Sequence, residues 1–189
     1  MIRYYKEFVK NIQLFNKGFI SMRELSERRV ELINKYSFGI PTTSVLKRIA
    51  TYSPIIELGA GTGYWASSLE AVGCDILAYD NGSWDSVWTK NHTEILKGDE
   101  RILESYKDRN LLLCFPMHRD SISLNAVKNF KGKYLIYIGE LEDTCIESGD
   151  CAGFLEELHK SYKFVEKLPL PNWPDMKDAV HIYENLQFS

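Results

Sequence analysis

The chain has 189 residues, 44% of them hydrophobic and 26% charged, with a net charge of −3. That size and balance suit one globular domain with a sizeable core, and they exclude a low-complexity or disordered chain. No apolar run reaches the roughly 18 residues of a bilayer span. The start, MIRYYKEFVKNIQLF, mixes charge with apolar residues and does not read as a signal peptide, so a cytoplasmic protein without membrane contact is expected.

In chain order, Phe8, Ile12, Phe15 and Phe19 recur at helical spacing and predict a first helix ending near Gly18. Ser21 to Glu24 has the form of a capping box and starts a second helix running to about Tyr36. The connector YSFGIPTTS follows, and Thr42, Thr43 or Ser44 caps a third helix ending near Ala50. From Pro54 the pattern changes. PIIEL reads as a strand, and GYWASSLEAV as a helix with Trp65, Leu69 and Val72 on one face and Gly73 as its stop. CDILAYD is a second strand and TEILKGD holds a short third. NLLLCFP is a continuous apolar run, as expected of a strand buried on both faces. SISLNAVKNF is helical, KYLIYIGE is a fifth strand, CAGFLEELHKSY is a helix, and YKFVEKLPL and DAVHIYENL are two closing strands. Their link, PLPNWPD, is too short for a crossover helix, so this pair forms an antiparallel hairpin.

The expected fold is α/β: a doubly wound, seven-stranded, mostly parallel sheet with a C-terminal antiparallel hairpin, preceded by N-terminal helices. One domain is expected over residues 1–189, with a helical cap over 1–50 and a ligand-binding core over 54–189. Right-handed crossovers place the ligand crevice at the carboxyl ends of the strands.

The four cysteines, Cys74, Cys114, Cys145 and Cys151, show no CxxC spacing, which argues against a structural zinc and for a reducing compartment. Residues 1–50 carry ten Lys/Arg against four Glu, a balance of +6, which leaves −9 for the rest. A basic first quarter either faces nucleic acid or another acidic partner, or is the solvated face of amphipathic helices.

The chemistry concentrates in ELGAGTG. Gly59, Gly61 and Gly63 lie directly after a strand and before a helix. Glycine lets the backbone approach a ligand closely and adopt positive φ. The dinucleotide fingerprint is GxGxxG, and the position of its third glycine is Tyr64, which disfavours a pyrophosphate site. Glu57 precedes the loop, where it either organises the loop through backbone N–H groups or meets a cationic ligand amine. Asp80 ends the second strand, where an acid can accept both hydroxyls of a ribose.

With strand, E-x-G-x-G-x-G, helix, strand and terminal Asp in one unit, the chain resembles the class I S-adenosylmethionine-dependent methyltransferases, and its core is similar to their Rossmann-like one over about residues 54–185. IIELGAGTG looks like their first motif and LAYD like their second; GTGYWA, LLLCFP and YIGE also resemble a small methyltransferase-like subgroup. The resemblance implies a seven-stranded sheet and bound S-adenosylmethionine, with Glu57, Gly59, Ala60, Gly61 and Gly63 lining its amino-acid and ribose part. It implies that Asp80 binds the ribose hydroxyls and that Asp99, in KGD, meets the adenine amino group; Asn81, adjacent to Asp80, is expected to assist it. No metal is required, and a general base is optional because an amine can be attacked neutral and lose its proton afterwards.

For the acceptor side, the fourth strand ends in CFPMHRD. Relatives that methylate nitrogen carry an acid or amide, two prolines and an aromatic there; this chain keeps one proline, Pro116. Phe115 is expected to flank the methyl, and His118 is either a base, a substrate contact or a surface-loop histidine. Glu140 in YIGE is either a substrate contact or a loop-organising acid. Tyr36, Phe38 and Pro41 are candidates for a lid, Tyr64 for a cofactor contact, Trp84 for flanking adenine, and Trp173 for core packing.

The expected function is methyl transfer from S-adenosylmethionine to an acceptor, small molecule or macromolecule, that the sequence does not name. The alternatives are a non-catalytic S-adenosylmethionine-binding module, aminopropyl transfer, or an NAD-linked enzyme.

Overall fold

The structure, a computed structural model, describes residues 2–83, 90–116, 121–141 and 153–188. Three helices come first: α1 (Arg3–Asn16), α2 (Met22–Lys35) and α3 (Thr43–Ala50). α2 begins at Ser21, whose Oγ accepts the Glu24 N–H while the Glu24 carboxylate accepts the Ser21 N–H, so the predicted capping box forms in both directions. Of the three candidate caps for α3, Thr42 takes the place and accepts the Val45 N–H at 3.3 Å.

The core then alternates β1 (Ile55–Leu58), α4 (Tyr64–Glu70), β2 (Ile76–Asp80), β3 (Leu96–Lys97), β4 (Asn110–Cys114), α5 (Ile122–Asn129), β5 (Tyr134–Gly139), α6 (Phe154–Ser161), β6 (Tyr162–Pro169) and β7 (Ala179–Asn185). A 3-10 helix, Glu100–Ser105, which the sequence pattern did not suggest, sits between β3 and β4. α4 stops earlier than Val72: Gly73 takes φ +88° and Cys74 N–H returns to the Leu69 carbonyl.

The seven strands lie in the order β3-β2-β1-β4-β5-β7-β6. β1 to β5 are parallel, and β7 runs antiparallel to both β5 and β6, which is the closing hairpin expected from the short link. β6 is an edge strand, and the register shift between Phe164 and Glu166 breaks the regularity of that edge.

Alternation along the strands builds two cores. On one face Leu112, Ile136, Ile138, Val180 and Ile182 pack under Val45, Leu46 and Ile49 of α3 and Trp65, Ala66 and Leu69 of α4. On the other, Ile56, Leu111, Leu113, Leu135 and Tyr137 pack under Val127, Phe154 and Leu158 of α5 and α6. A third cluster joins α1 and α2 to the connector, the start of α4 and the hairpin link: Tyr4, Phe8, Leu25 and Leu32 close on Tyr36, Tyr64 and Trp173. Trp173 is buried edge-on against Phe8, so it is core, as expected. Among the described residues no helix is long and apolar enough to cross a membrane.

The chain order reverses direction across the sheet between β1 and β4, whose neighbours run outward on either side. That switch point opens a crevice at the carboxyl ends of β1 and β4, the place where doubly wound sheets hold ligands.

Candidate functional site

A cleft opens at that switch point, with about 890 Å³ of empty space including the part open to solvent. Its lining comes from the glycine loop (57–62), Asp80 and Asn81 after β2, Gly98 and Asp99 after β3, residues 113–116 at the end of β4, and Ser37 and Phe38 of the connector.

The loop holds its shape through the backbone. Gly59 and Ala60 both donate to the Tyr79 carbonyl, at 2.9 and 3.0 Å. Gly59 has φ +74°, a conformation that L side chains rarely adopt, and an added Cβ would meet nothing within 4 Å. The glycine is therefore demanded by backbone conformation, and it leaves space on the cleft side. Gly63 differs. It has φ +69°, and a Cβ there would lie 3.0 Å from Thr93 Cγ2 and 3.3 Å from Ile95. It caps α4 against the 93–95 segment and does not line the cleft, whereas Glu57, Gly59, Ala60, Gly61, Asp80, Asn81 and Asp99 all do.

Asp80 ties the loop to the end of β2. Its Oδ2 accepts the Gly61 N–H at 2.9 Å and its Oδ1 accepts the Gly82 N–H at 2.8 Å. Each carboxylate oxygen carries a second acceptor position, so the group can hold this turn and still receive two hydroxyls. Asn81 caps its own turn, accepting the Ser83 N–H at 2.8 Å. Asp99 accepts the Arg101 N–H and binds the Arg101 guanidinium at 2.5 to 3.1 Å. Those bonds hold its carboxyl down to about 2, so it stands in the cleft as an anion.

Glu57 is the unusual group. It lies on β1, 1% exposed, and its Oε2 has no hydrogen-bond partner among the described residues. Burial pushes its carboxyl up to about 8, and the charges of Asp80 and Glu70 push the same way against a backbone N–H at Ala66. Its value in the folded chain therefore lies above the ordinary 4.5. The stability that this protonated carboxyl contributes is full below about pH 4.5 and is lost as pH rises through about 8. Denaturant unfolding of the ligand-free protein should show stability falling across that window, and Glu57→Gln should remove the fall. A wild-type profile no different from the variant's would contradict the buried, protonated carboxyl.

The connector closes one side of the cleft. Trp65 Nε1 donates to the Phe38 carbonyl at 3.0 Å, and Cys114 Sγ reaches the same oxygen at 3.6 Å. The Phe38 ring stacks on Phe115 with centroids 5.0 Å apart. Thr62 Oγ1 donates to the Tyr36 carbonyl, so the glycine loop and the connector are bonded directly. Of the three lid candidates only Phe38 reaches the cleft; Tyr36 and Pro41 are buried, and Tyr36 stacks on Tyr4. Tyr64 also turns away. It packs against Tyr4, Tyr36 and His92, so the expected cofactor contact is replaced by a place in the third core.

Phe115 and Pro116, the candidates for the acceptor side, line the cleft. Phe115 has φ +46° and is buried, which turns the chain sharply at the end of β4. Glu140 does not line the cleft; it accepts the Lys177 N–H and ties the end of β5 to the hairpin link, the loop-organising role. His118, Trp84, Cys145 and Cys151 lie outside the described residues. Sequence reasoning missed Gly98 as a lining residue. A Cβ there would stand 2.8 Å from Tyr79 and 2.9 Å from Ile102, and the signal for it was a glycine between a short strand and an acid.

The lining holds three carboxyl groups, Glu57, Asp80 and Asp99, and no Lys or Arg among the described residues. Such a lining offers a pyrophosphate no lysine or arginine as counter-charge, and it offers acceptor oxygens to a cation that carries hydroxyls and an exocyclic amine. In residues 1–50, Arg3, Arg23, Lys35 and Arg48 are each ion-paired with a Glu, which reduces the charge available to a polyanion. No group of three His, Cys, Asp or Glu side chains among the described residues is placed to hold a metal.

No protein-family model and no curated protein matches the chain. Among solved structures, it is similar to the N-methyltransferase NodS from Bradyrhizobium japonicum WM9 in complex with S-adenosyl-L-homocysteine, at 16% identity over 76% of this chain and 85% of that one, with a TM-score of 0.49. It is also similar to the glycopeptide N-methyltransferase MtfA complexed with S-adenosyl-L-homocysteine (9% identity, 80% of this chain and 92% of that one, TM-score 0.47). A third is the magnesium protoporphyrin IX methyltransferase ChlM from Synechocystis PCC 6803 (8% identity, 92% and 99%, TM-score 0.45). With these TM-scores below 0.5, the functional reading stands on the cleft itself.

Proposed function

We propose that the cleft binds S-adenosylmethionine and that the protein transfers its methyl group to an acceptor. The observation that carries this reading is the set of acids around the glycine loop. Asp80 has two acceptor positions left for ribose hydroxyls, Asp99 is an anion where an adenine amine would sit, and the unpartnered Oε2 of Glu57 suits the ligand's ammonium. The residues present thus fit a cationic nucleoside, and the phosphates of a dinucleotide would find no lysine or arginine in the lining.

When bound, the sulfonium supplies a methyl group open to in-line attack. What this chain adds is position and dryness. Gly59 and Gly61 leave room against the backbone, Asp80 fixes the sugar, and Phe38, Trp65 and Phe115 exclude water from one side. Orientation of this kind is the main source of rate for a reaction that needs no metal and no obligatory base. A second reading, a binding module without chemistry, draws on the end of β4: the described residues Cys114, Phe115 and Pro116 offer an acceptor nitrogen no polar side chain beyond a thiol that burial pushes well up.

Calorimetry with S-adenosylmethionine, S-adenosylhomocysteine and NAD tests the ligand, and the first two should bind while NAD fails. Incubation of the protein and methyl-labelled S-adenosylmethionine with a cell extract tests the chemistry. Transferred label supports the enzyme, and binding with no transfer supports the module.

A further inference from the structure

One group on the cleft wall stands out: Glu57, a carboxyl buried in the sheet whose Oε2 has no hydrogen-bond partner among the described residues. An unpartnered buried acceptor is costly, and a buried carboxylate without a cation costs more. The charged neighbours of Glu57 make the anion worse. Asp80 on β2 and Glu70 on α4 are acids. Cys114 on β4 is a half-buried thiol raised well above its usual range by desolvation, by Glu57 itself and by Asp178. The connector over the cleft, residues 36–42, carries no charged side chain. The one favourable contact is the backbone N–H at Ala66.

We propose that filling the cleft with an amine-bearing ligand is coupled to the loss of a proton from Glu57, so that cofactor binding to this protein is proton-linked. This deepens the reading of the cleft as an S-adenosylmethionine site and rests on it. Without an ammonium beside it the Glu57 carboxyl is neutral near pH 7, in keeping with the value of about 8 that burial gives it. A ligand ammonium brought to Oε2 supplies both the missing cation and the missing donor. The O–H bond of Glu57 breaks, the proton leaves to solvent, and an N–H···O bond to the new carboxylate forms. The ligand amine is already protonated below neutrality, so the proton released is Glu57's own. Affinity then rises with pH by about tenfold per unit below the carboxyl's pKa, one proton being exchanged per ligand bound. It levels off near pH 8. An acidified cell would load this protein less than a neutral one at the same cofactor concentration.

The test is calorimetry of the full chain with S-adenosylhomocysteine at pH 6.5, repeated in buffers of different ionisation enthalpy. The dependence of the measured heat on the buffer gives the number of protons exchanged. Release of close to one proton is expected with S-adenosylhomocysteine, and none with adenosine, which has the sugar and base but no ammonium. Glu57→Gln, which mimics the neutral carboxyl, should bind S-adenosylhomocysteine with no release and with an affinity flat from pH 5.5 to 7.5. In wild type, difference infrared spectra should show a protonated-carboxyl band lost on adding the ligand, a readout that stands even if the variant folds poorly. Binding without proton release, or release that persists in Glu57→Gln, overturns the proposal and leaves the ligand reading intact. No binding of S-adenosylhomocysteine at any pH overturns the ligand reading itself.

Discussion

Replacing Asp80 with Ala is expected to weaken S-adenosylhomocysteine binding by at least about 100-fold. A hydrogen bond to a charged acceptor contributes roughly 1.5–3 kcal/mol, and two ribose hydroxyls on one carboxylate give about 3–6 kcal/mol, or more than two orders of magnitude in affinity. The side chain also accepts the N–H groups of Gly61 and Gly82, so its loss releases the turn of the glycine loop from the end of β2. Both effects act in the same direction on binding. Asp80→Asn loses the charge and keeps one carbonyl acceptor, enough for one of the two N–H groups, so it retains part of the turn. That variant should fall between wild type and Asp80→Ala. Calorimetry measures all three, and an Asp80→Ala affinity within about threefold of wild type would mean that the sugar is held elsewhere.

Trp65→Ala should be the most damaging of the single substitutions around the cleft for stability, at about 3–5 kcal/mol, the range for deleting a large aromatic from a core. Trp65 is 1% exposed and packs among Val45, Leu69, Ile138 and Ala60, beneath the loop that lines the cleft. Its Nε1 also holds the Phe38 carbonyl. A loss of that size is a large part of the total stability of a domain, roughly 5–15 kcal/mol. Trp65→Phe keeps most of the volume and loses the hydrogen bond, worth about 1 kcal/mol. Guanidinium unfolding should therefore rank wild type, Trp65→Phe and Trp65→Ala in that order. Equal midpoints for Trp65→Phe and Trp65→Ala would contradict the packing described.

The parts of this molecule that were readable beforehand are those decided by local pattern. The run NLLLCFP announces a central strand because β4 is covered on both faces, and the short link PLPNWPD forces β6 and β7 into a hairpin. The glycines after β1 follow from what a strand-to-helix bend requires of its backbone, and the acid at the end of β2 stands on the same edge of the sheet, so the cleft's floor was legible as well. What was hidden depends on partners far along the chain. Tyr64 follows the glycines and so looked like a cofactor contact. Its direction is set by Tyr4 and Tyr36, which arrive from a helix and a connector whose docking no local pattern encodes. Glu140 stands at the ligand edge of the sheet, yet its carboxylate belongs to the backbone of Lys177 in the hairpin link. Asp99 lines the cleft, while its ion pair with Arg101 depends on the 3-10 helix that it caps, an element too short to leave a periodicity. Phe38 shows the same limit from the other side. It was one of three aromatic or proline positions in the connector, and only tertiary packing against Phe115 and Trp65 selects it.

The most direct test of the account is a crystal structure of the protein grown with S-adenosylhomocysteine. It should show the ribose hydroxyls within hydrogen-bond distance of Asp80 and the amino-acid end against Glu57, with the sugar lying over Gly59 and Gly61. A structure with the ligand outside the cleft between β1 and β4, or with its sugar away from Asp80, would contradict the account.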